Sequence, residues 1–304
     1  MSACGSSLLP SLSDTTSSAG STTSNIPSSY FSYDSNTSYQ QYTVTFVTNA
    51  TTTLDPIVTS IIETMPLVEN DPLTLEGWFF DISLTEPVNF PLFVDRDMTL
   101  YAKWVEASPG FIFKPTLDGL GYIVEAYIGN AVSLAIQATY NGKPVHELGE
   151  YLFYNNGALL SVVLPNQLRV IGMAAFKGAT QLATITIPNT VTDIKTDAFS
   201  GAIALSNISL STSLINIGNN AFENLPNLVT VDIPASISDI RSRAFADNPS
   251  LTTVVIRATT PPLRFPNSFE NTPTNLIYRV PSSALNTYKT NEFWAAFAWQ
   301  IASI

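Results

Sequence analysis

The chain has 304 residues with 24 acidic and 13 basic side chains, one histidine and a formal charge of −11. That length accommodates one to three domains. No basic patch is present to hold a nucleic-acid backbone, so no nucleic-acid partner is expected, and no apolar run reaches the ~18 residues of a membrane span. The acidity is uneven: ten acids precede the first base, Arg96, and from there 14 acids nearly balance 13 bases.

The chain opens Met-Ser-Ala-Cys-Gly, and Cys4 is its one cysteine, so no intrachain disulfide is expected. Met-Ser-Ala-Cys resembles the Leu-Ser-Ala-Cys lipobox of bacterial lipoproteins, with Met1 in place of the Leu. The resemblance implies a lipid on Cys4 as the chain's only membrane attachment; the alternative is a chance cysteine in a tail. Residues 1–40 form one segment. Of residues 5–40, eighteen of 36 are Ser or Thr, with no strand or helix period. Such a composition buries too little to order itself, and it predicts a flexible tether spanning about 30–35 Å. A tail with no mechanical role is the other reading. Asn36 and Asn49 stand in glycosylation signals, which matter only in a eukaryotic source.

Residues 41–105 read as a separate unit. Tyr42-Thr-Val-Thr-Phe-Val alternates polar and apolar residues, the pattern of a half-buried strand. Leu75–Asp81 and Met98–Trp104 are two further strand candidates, each carrying a Trp. Thr99-Leu-Tyr-Ala-Lys-Trp resembles the closing motif of the Listeria–Bacteroides repeat (the internalin B-repeat), a small β-grasp-like module of bacterial surface proteins. The turn that is usually Asn-Gly-Gly in that family is Asn49-Ala-Thr here. Trp78 and Trp104 are expected in the core, with an exposed aromatic platform as the other reading.

Residues 106–147 carry strand patterns at Tyr122–Gly129 and Val132–Gln137 and a tight turn at Asn141-Gly142. They are expected to cap the repeats that begin at residue 148. In those repeats Phe153, Phe176, Phe199, Phe222 and Phe245 are 23 residues apart, and Phe269 comes 24 later. Four further columns keep the step: Leu164, Ile187, Leu210, Ile233 and Ile256; Leu159, Leu182, Leu205, Leu228 and Leu251; Leu168, Val191, Leu214 and Ile237; and Leu148, Ile171, Ile194, Ile217 and Ile240. A fixed short period predicts a solenoid.

Each unit reads L-x-x-I-x-I-P-x-x-V-x-x-I-x-x-x-A-F. The I-x-I piece has period two, so both apolar side chains face one side of a short strand. About seven apolar side chains per coil point inward, each worth ~1.5–3 kcal/mol when buried. No single coil shields them, so coils must stack, with strands ~4.8 Å apart in a parallel sheet. The expected fold is mainly β: a solenoid of 23-residue repeats over residues 148–304, with a small separate β-grasp-like module.

The unit resembles the BspA-type leucine-rich repeat, and Leu182–Phe199, LATITIPNTVTDIKTDAF, is a near-ideal copy. The family's Cys three residues after Phe is Ala179, Ala202, Leu225 and Asn248 here. Their lack of thiols suits an oxidising location. Residues 106–147 resemble the irregular first coil of such arrays, and Val280–Phe297 resembles their finish. Ser282 or Ser283 is expected to N-cap a short helix, whose Tyr288, Phe293, Trp294 and Phe297 would cover the last coil.

Alternation along each strand assigns the opposite, outward face. It holds Ser161, Val163 and Pro165; Thr184, Thr186 and Pro188; Asn207, Ser209 and Ser211; Thr230, Asp232 and Pro234; and Thr253, Val255 and Arg257. Stacked, these predict one concave, hydroxyl-rich patch with Arg257 as its only anchor of the kind protein hot spots favour. Thr184, Thr186, Asn207, Ser209, Thr230, Asp232, Thr253 and Arg257 are the candidate ligand-binding residues. Mere tolerance of solvent is the alternative. The β-grasp-like module and the loops at Asn219, Asn220 and Asn224 are the other candidate surfaces.

No catalytic constellation is legible in the sequence. His146 is the single histidine, read as a surface residue, and no nucleophile motif accompanies it. No cluster has zinc spacing and no glycine-rich phosphate loop appears, so no metal and no cofactor are expected. Glu147 with Glu150, and Asp193 with Asp197, are carboxylate pairs close in sequence, read as solvated charges rather than a glycosidase pair. The resemblance implies a non-enzymatic, lipid-anchored protein of a bacterial cell surface that binds an extracellular protein or glycan as an adhesin does. A glycan-binding subunit of nutrient uptake, a structural surface-layer component and an enzyme are the alternatives.

Overall fold

The computed structural model describes residues 40–304 apart from Thr51, Thr64, Leu67, Glu69, Asp71 and Pro72. The proposed anchor at Cys4, nearly all of the 1–40 segment and Asn36 therefore lie outside the described residues. The remainder is a mainly β solenoid preceded by a small mixed sheet.

Two ladders of parallel strands run along the solenoid. The first has rungs Ser133–Ala135, Ser161–Val163, Thr184–Thr186, Asn207–Ser209, Thr230–Ile233, Thr253–Ile256, Ile277–Val280 and Ile301–Ser303. It is hydrogen-bonded in three stretches of parallel pairs. Thr184 lies opposite Asn207 and Thr186 opposite Ser209. The second ladder joins Lys143–Leu148, Val170–Ile171, Asp193–Ile194, Asn216–Ile217, Asp239–Ile240 and Leu263–Arg264 in one continuous sheet. Most of its strands are two residues long, too short to show a period-two signal, so the repeat pattern reveals one strand per coil where the fold has two. The hairpin Phe111–Pro115 with Tyr122–Tyr127 closes this sheet at its N-terminal end.

The interior is organised by the aromatic column. Successive rings from Phe153 to Phe269 stack with centroids 5.1–5.3 Å apart, within the range where offset aromatic pairs attract. Phe111 and Tyr127 close one end of the stack, and Tyr278 and Trp294 the other. The chain turns sharply on both sides of each ring. Two residues after the Phe stand Asn155, Gly178, Gly201, Asn224, Asp247 and Asn271, all with φ between 55° and 72°. Gly, Asn and Asp are the residues that reach this left-handed region at least cost.

The residues in the family's cysteine column are buried. Asn248 turns that position into a polar tie: its Nδ2 donates to the Phe222 and Phe245 carbonyls at 2.9 Å, and its Oδ1 accepts from Leu225 N–H at 2.7 Å. At the C-terminal end Arg264 stands in register with Ile240 and so takes an isoleucine's interior place. It is 3% exposed, with its guanidinium 3.9 Å from the Phe297 ring centroid and 5.5 Å from those of Phe269 and Trp294. Burial pulls the Arg264 pKa below its ordinary value, and it pushes that of the neighbouring Tyr278 hydroxyl up to about 12.

Three expectations need correction. Neither Ser282 nor Ser283 caps a helix: Pro281 precedes the 3-10 turn Ser282–Ala284, Ala284 precedes the helix Leu285–Thr290, and neither start has a side-chain cap. The segment is fixed instead by Tyr288 Oη donating to the Ala258 carbonyl and Trp294 Nε1 donating to the Pro262 carbonyl, each at 2.9 Å. Phe293 is exposed, so Tyr288, Trp294 and Phe297 make the cover without it. His146 is buried, not on the surface; it packs against Gly121, where a Cβ would come within 2.6 Å of its Nδ1.

The mixed sheet has strand order Ile57–Thr59, Tyr42–Val47, Met98–Glu106, Leu73–Phe79. Its central pair is parallel and both outer pairs are antiparallel. It has its own core around Val44, Leu75, Trp78 and Leu100, with Trp104 packed against it and no helix among the described residues. This sheet is not detached from the solenoid. Thr74 Oγ1 donates to the Ile136 carbonyl at 3.0 Å, and Asn166 Nδ2 to the Val68 carbonyl at 3.2 Å.

Candidate functional site

Along the first ladder the interior and exterior positions alternate as the strand pleat requires. Ile185 and Ile208 are buried; Thr184, Thr186, Asn207, Ser209, Thr230 and Asp232 are exposed, and Thr253 and Val255 are half-buried. Alternation stops where the strand stops. Pro165, Pro188, Pro234 and Ser211, expected on the outward face, are buried. They come after the last outward position of their rungs, where the chain turns the corner of the coil and period two no longer applies.

The face extends further than the repeat columns indicated. Ile277 lies opposite Thr253, and Arg279 opposite Val255, so Ile277 and Arg279 are exposed members of the next rung. The signal for them was the 24-residue step from Phe245 to Phe269, which carries Val255 onto Arg279. Arg257 is not a lone anchor. Its Nε donates to Asp232 at 2.9 and 3.2 Å, and its Nη2 donates to the same carboxylate at 2.6 Å. Both side chains are half exposed, so water screens the pair and its net contribution is only ~0–1 kcal/mol.

Beside Arg257 lies a groove of about 340 Å³, walled on one side by Ala235, Ile237 and Ser238 and on the other by residues 257–262. Its origin is one extra residue. Ile233 to Ile240 is seven steps, whereas Ile256 to Arg264, which stands in register with Ile240, is eight. Arg257 also stands where the preceding coil has Pro234.

Asp193 and Asp197 are engaged in structural contacts. Burial raises the Asp193 pKa, but hydrogen bonds from Lys195, Thr192 and Asn216 outweigh it and hold the carboxyl below its ordinary value. Asp197 pairs with Lys177 at 3.2 Å and accepts from Asn220 Nδ2 at 3.3 Å. Asn220 and Asn224 are left-handed turn residues of the coil corner. Arg243 gathers Glu223, Asp247 and Glu270 on one guanidinium. Burial and the Arg169 charge lower the His146 pKa, with Asp118 opposing. Among the described residues no three His, Cys, Asp or Glu side chains converge on a metal position, and no helix is long and apolar enough to cross a membrane.

This arrangement, a rigid stack of coils with one polar ladder face, defines a leucine-rich-repeat solenoid. Residues 146–276 match the BspA type Leucine rich repeat region in six copies, so the repeats are of that type. No curated protein matches the chain. Among solved structures, a Leucine Rich Repeat protein of T. pallidum is 29% identical; the match covers 58% of this chain and 85% of that one, with a TM-score of 0.50. A leucine-rich repeat protein of Bacteroides ovatus is 21% identical, covering 59% and 56%, with a TM-score of 0.45. A leucine rich cell surface protein of Faecalibacterium prausnitzii is 18% identical, covering 59% and 71%, with a TM-score of 0.34.

Proposed function

We propose that the chain is a non-enzymatic cell-surface scaffold that binds an extracellular protein or glycan through the first ladder, with Cys4 as its lipid attachment and residues 41–105 as a Listeria–Bacteroides-type spacer. One observation carries the reading. Thr184, Thr186, Asn207, Ser209, Thr230 and Asp232 are exposed on three successive rungs, over an interior that already holds the coils together. The BspA-type repeats support the scaffold role. The row is polar and short of aromatic anchors, so binding is weak per site and gains from many copies on one surface.

The test is Thr186→Arg combined with Ser209→Arg, first checked for an unchanged melt. Adhesion to the surface that the wild type binds should fall. Adhesion that survives untouched would exclude the row as the site. Cys4→Ala in the full-length protein should move it from the membrane fraction to the soluble one; unchanged partition would remove the anchor from the proposal.

A further inference from the structure

Charge is not spread evenly along the ladder face. From Ser161 to Thr230 its outward positions are uncharged. Beyond them stand Asp232, Arg257 and Arg279, two cations against one anion, in a chain whose formal charge is −11. The groove created by the extra residue adjoins this end and takes Arg257 as part of its rim. We propose that the C-terminal end of the face binds a glycan capped by a carboxylate-bearing sugar. The acidic ring occupies the groove beside Arg257, and neutral sugars run across the rungs toward Thr186. This rests on the reading of the face as a binding surface and adds the ligand class.

Four features select that chemistry. A guanidinium presents a fork of donors that matches a carboxylate, as Arg257 shows with Asp232. Because that pair is half exposed, a ligand carboxylate displaces or shares Asp232 at small cost. The groove of about 340 Å³ lies near the lower end of the ~300–1,000 Å³ typical of small-ligand pockets. Its buried Ile237, Ala258 and Pro262 offer an apolar floor to the C–H face of a ring, and Thr259 and Thr260 put exposed hydroxyls on the rim. Finally, the hydroxyl row recurs every ~4.8 Å, close to the advance of one pyranose along a chain. A protein partner would look for aromatic anchors that the outward row lacks.

The full chain is titrated with lactose, sialyllactose, lactose capped by glucuronic acid, and an Asp/Glu peptide. At least one acid-capped sugar should bind ~10-fold tighter than lactose, and the advantage should shrink as salt rises. The two capped sugars separate a sialic from a uronic acid source. Arg257→Gln and Arg279→Gln, each with an unchanged melt, should bring the capped sugar to the affinity of lactose. Equal affinities, indifference to both substitutions, tighter binding of the peptide, or no sugar binding at all would overturn the proposal. The Thr186→Arg and Ser209→Arg pair keeps the two readings apart. If that pair abolishes surface adhesion while no preference for acidic caps is found, the face remains the site and this ligand class falls. If adhesion survives the pair, the reading of the face itself falls.

Discussion

Two sides of one strand obey different rules. In the coil at Thr184–Thr186, Ile185 is buried beneath an exposed Thr on either side. Inward, the chemistry hardly changes from coil to coil: Phe176, Phe199, Phe222 and Phe245 are all fully buried and stacked. Outward, it changes at every rung, from two threonines to Asn207 and Ser209, then Thr230 and Asp232, then Thr253 and Val255, then Ile277 and Arg279. Periodicity marks what the fold needs, because each coil must present the same shape to its neighbour. The outward positions carry no such constraint, and the proposed binding surface uses that freedom.

The largest effect that sharpens this contrast is Phe199→Ala. Removing a ring from mid-stack leaves a cavity between Phe176 and Phe222 and should cost ~3–5 kcal/mol in a denaturant melt. Next comes Asn248→Ala, which strands Leu225 N–H and the Phe222 and Phe245 carbonyls in the interior. Stranded buried groups put its cost at ~1–3 kcal/mol, read from the same melts. Loss of less than a few tenths would show that the coil closes over the gap without it.

The interior also predicts a pH effect. Burial lowers the folded pKa of His146, while the unfolded chain keeps the ordinary value near 6.5. Below that value the unfolded state binds more protons, so the contribution is complete above pH 6.5 and is lost as pH falls through the folded pKa. Melts of the wild type and His146→Gln over this range should converge on acidification; parallel curves would exclude the histidine as the source. The smallest effect is Arg257→Gln. Its partner is half exposed, so stability should change by only ~0–1 kcal/mol.

The same contrast explains how legible each region was. The Phe column and the Ile185 and Ile208 positions could be read from spacing alone, because burial recurs with the period. Pro188 and Ser211 were misplaced because alternation was carried two residues past the end of a three-residue strand. Arg279 lay in the sequence at the 24-residue step but fell outside columns counted at 23. The mixed sheet is a different case. Pairing Tyr42–Val47 with Met98–Glu106 brings together residues more than fifty apart, and no period reports such a contact. Its docking through Thr74 and Asn166 joins single residues from distant segments. His146 had no column to place it, and its burial depends on Gly121 packing against the ring.

On this account the interior columns hold the fold, while the outward row, the proposed binding surface, carries none of that load. This division is tested most directly by replacing Thr184, Thr186, Asn207 and Ser209 together with Ala and measuring the urea midpoint beside that of Phe199→Ala. Four exposed substitutions at ~0.5 kcal/mol or less each should together cost less than the single buried ring. A loss from the quadruple variant equal to or greater than that of Phe199→Ala would contradict the account.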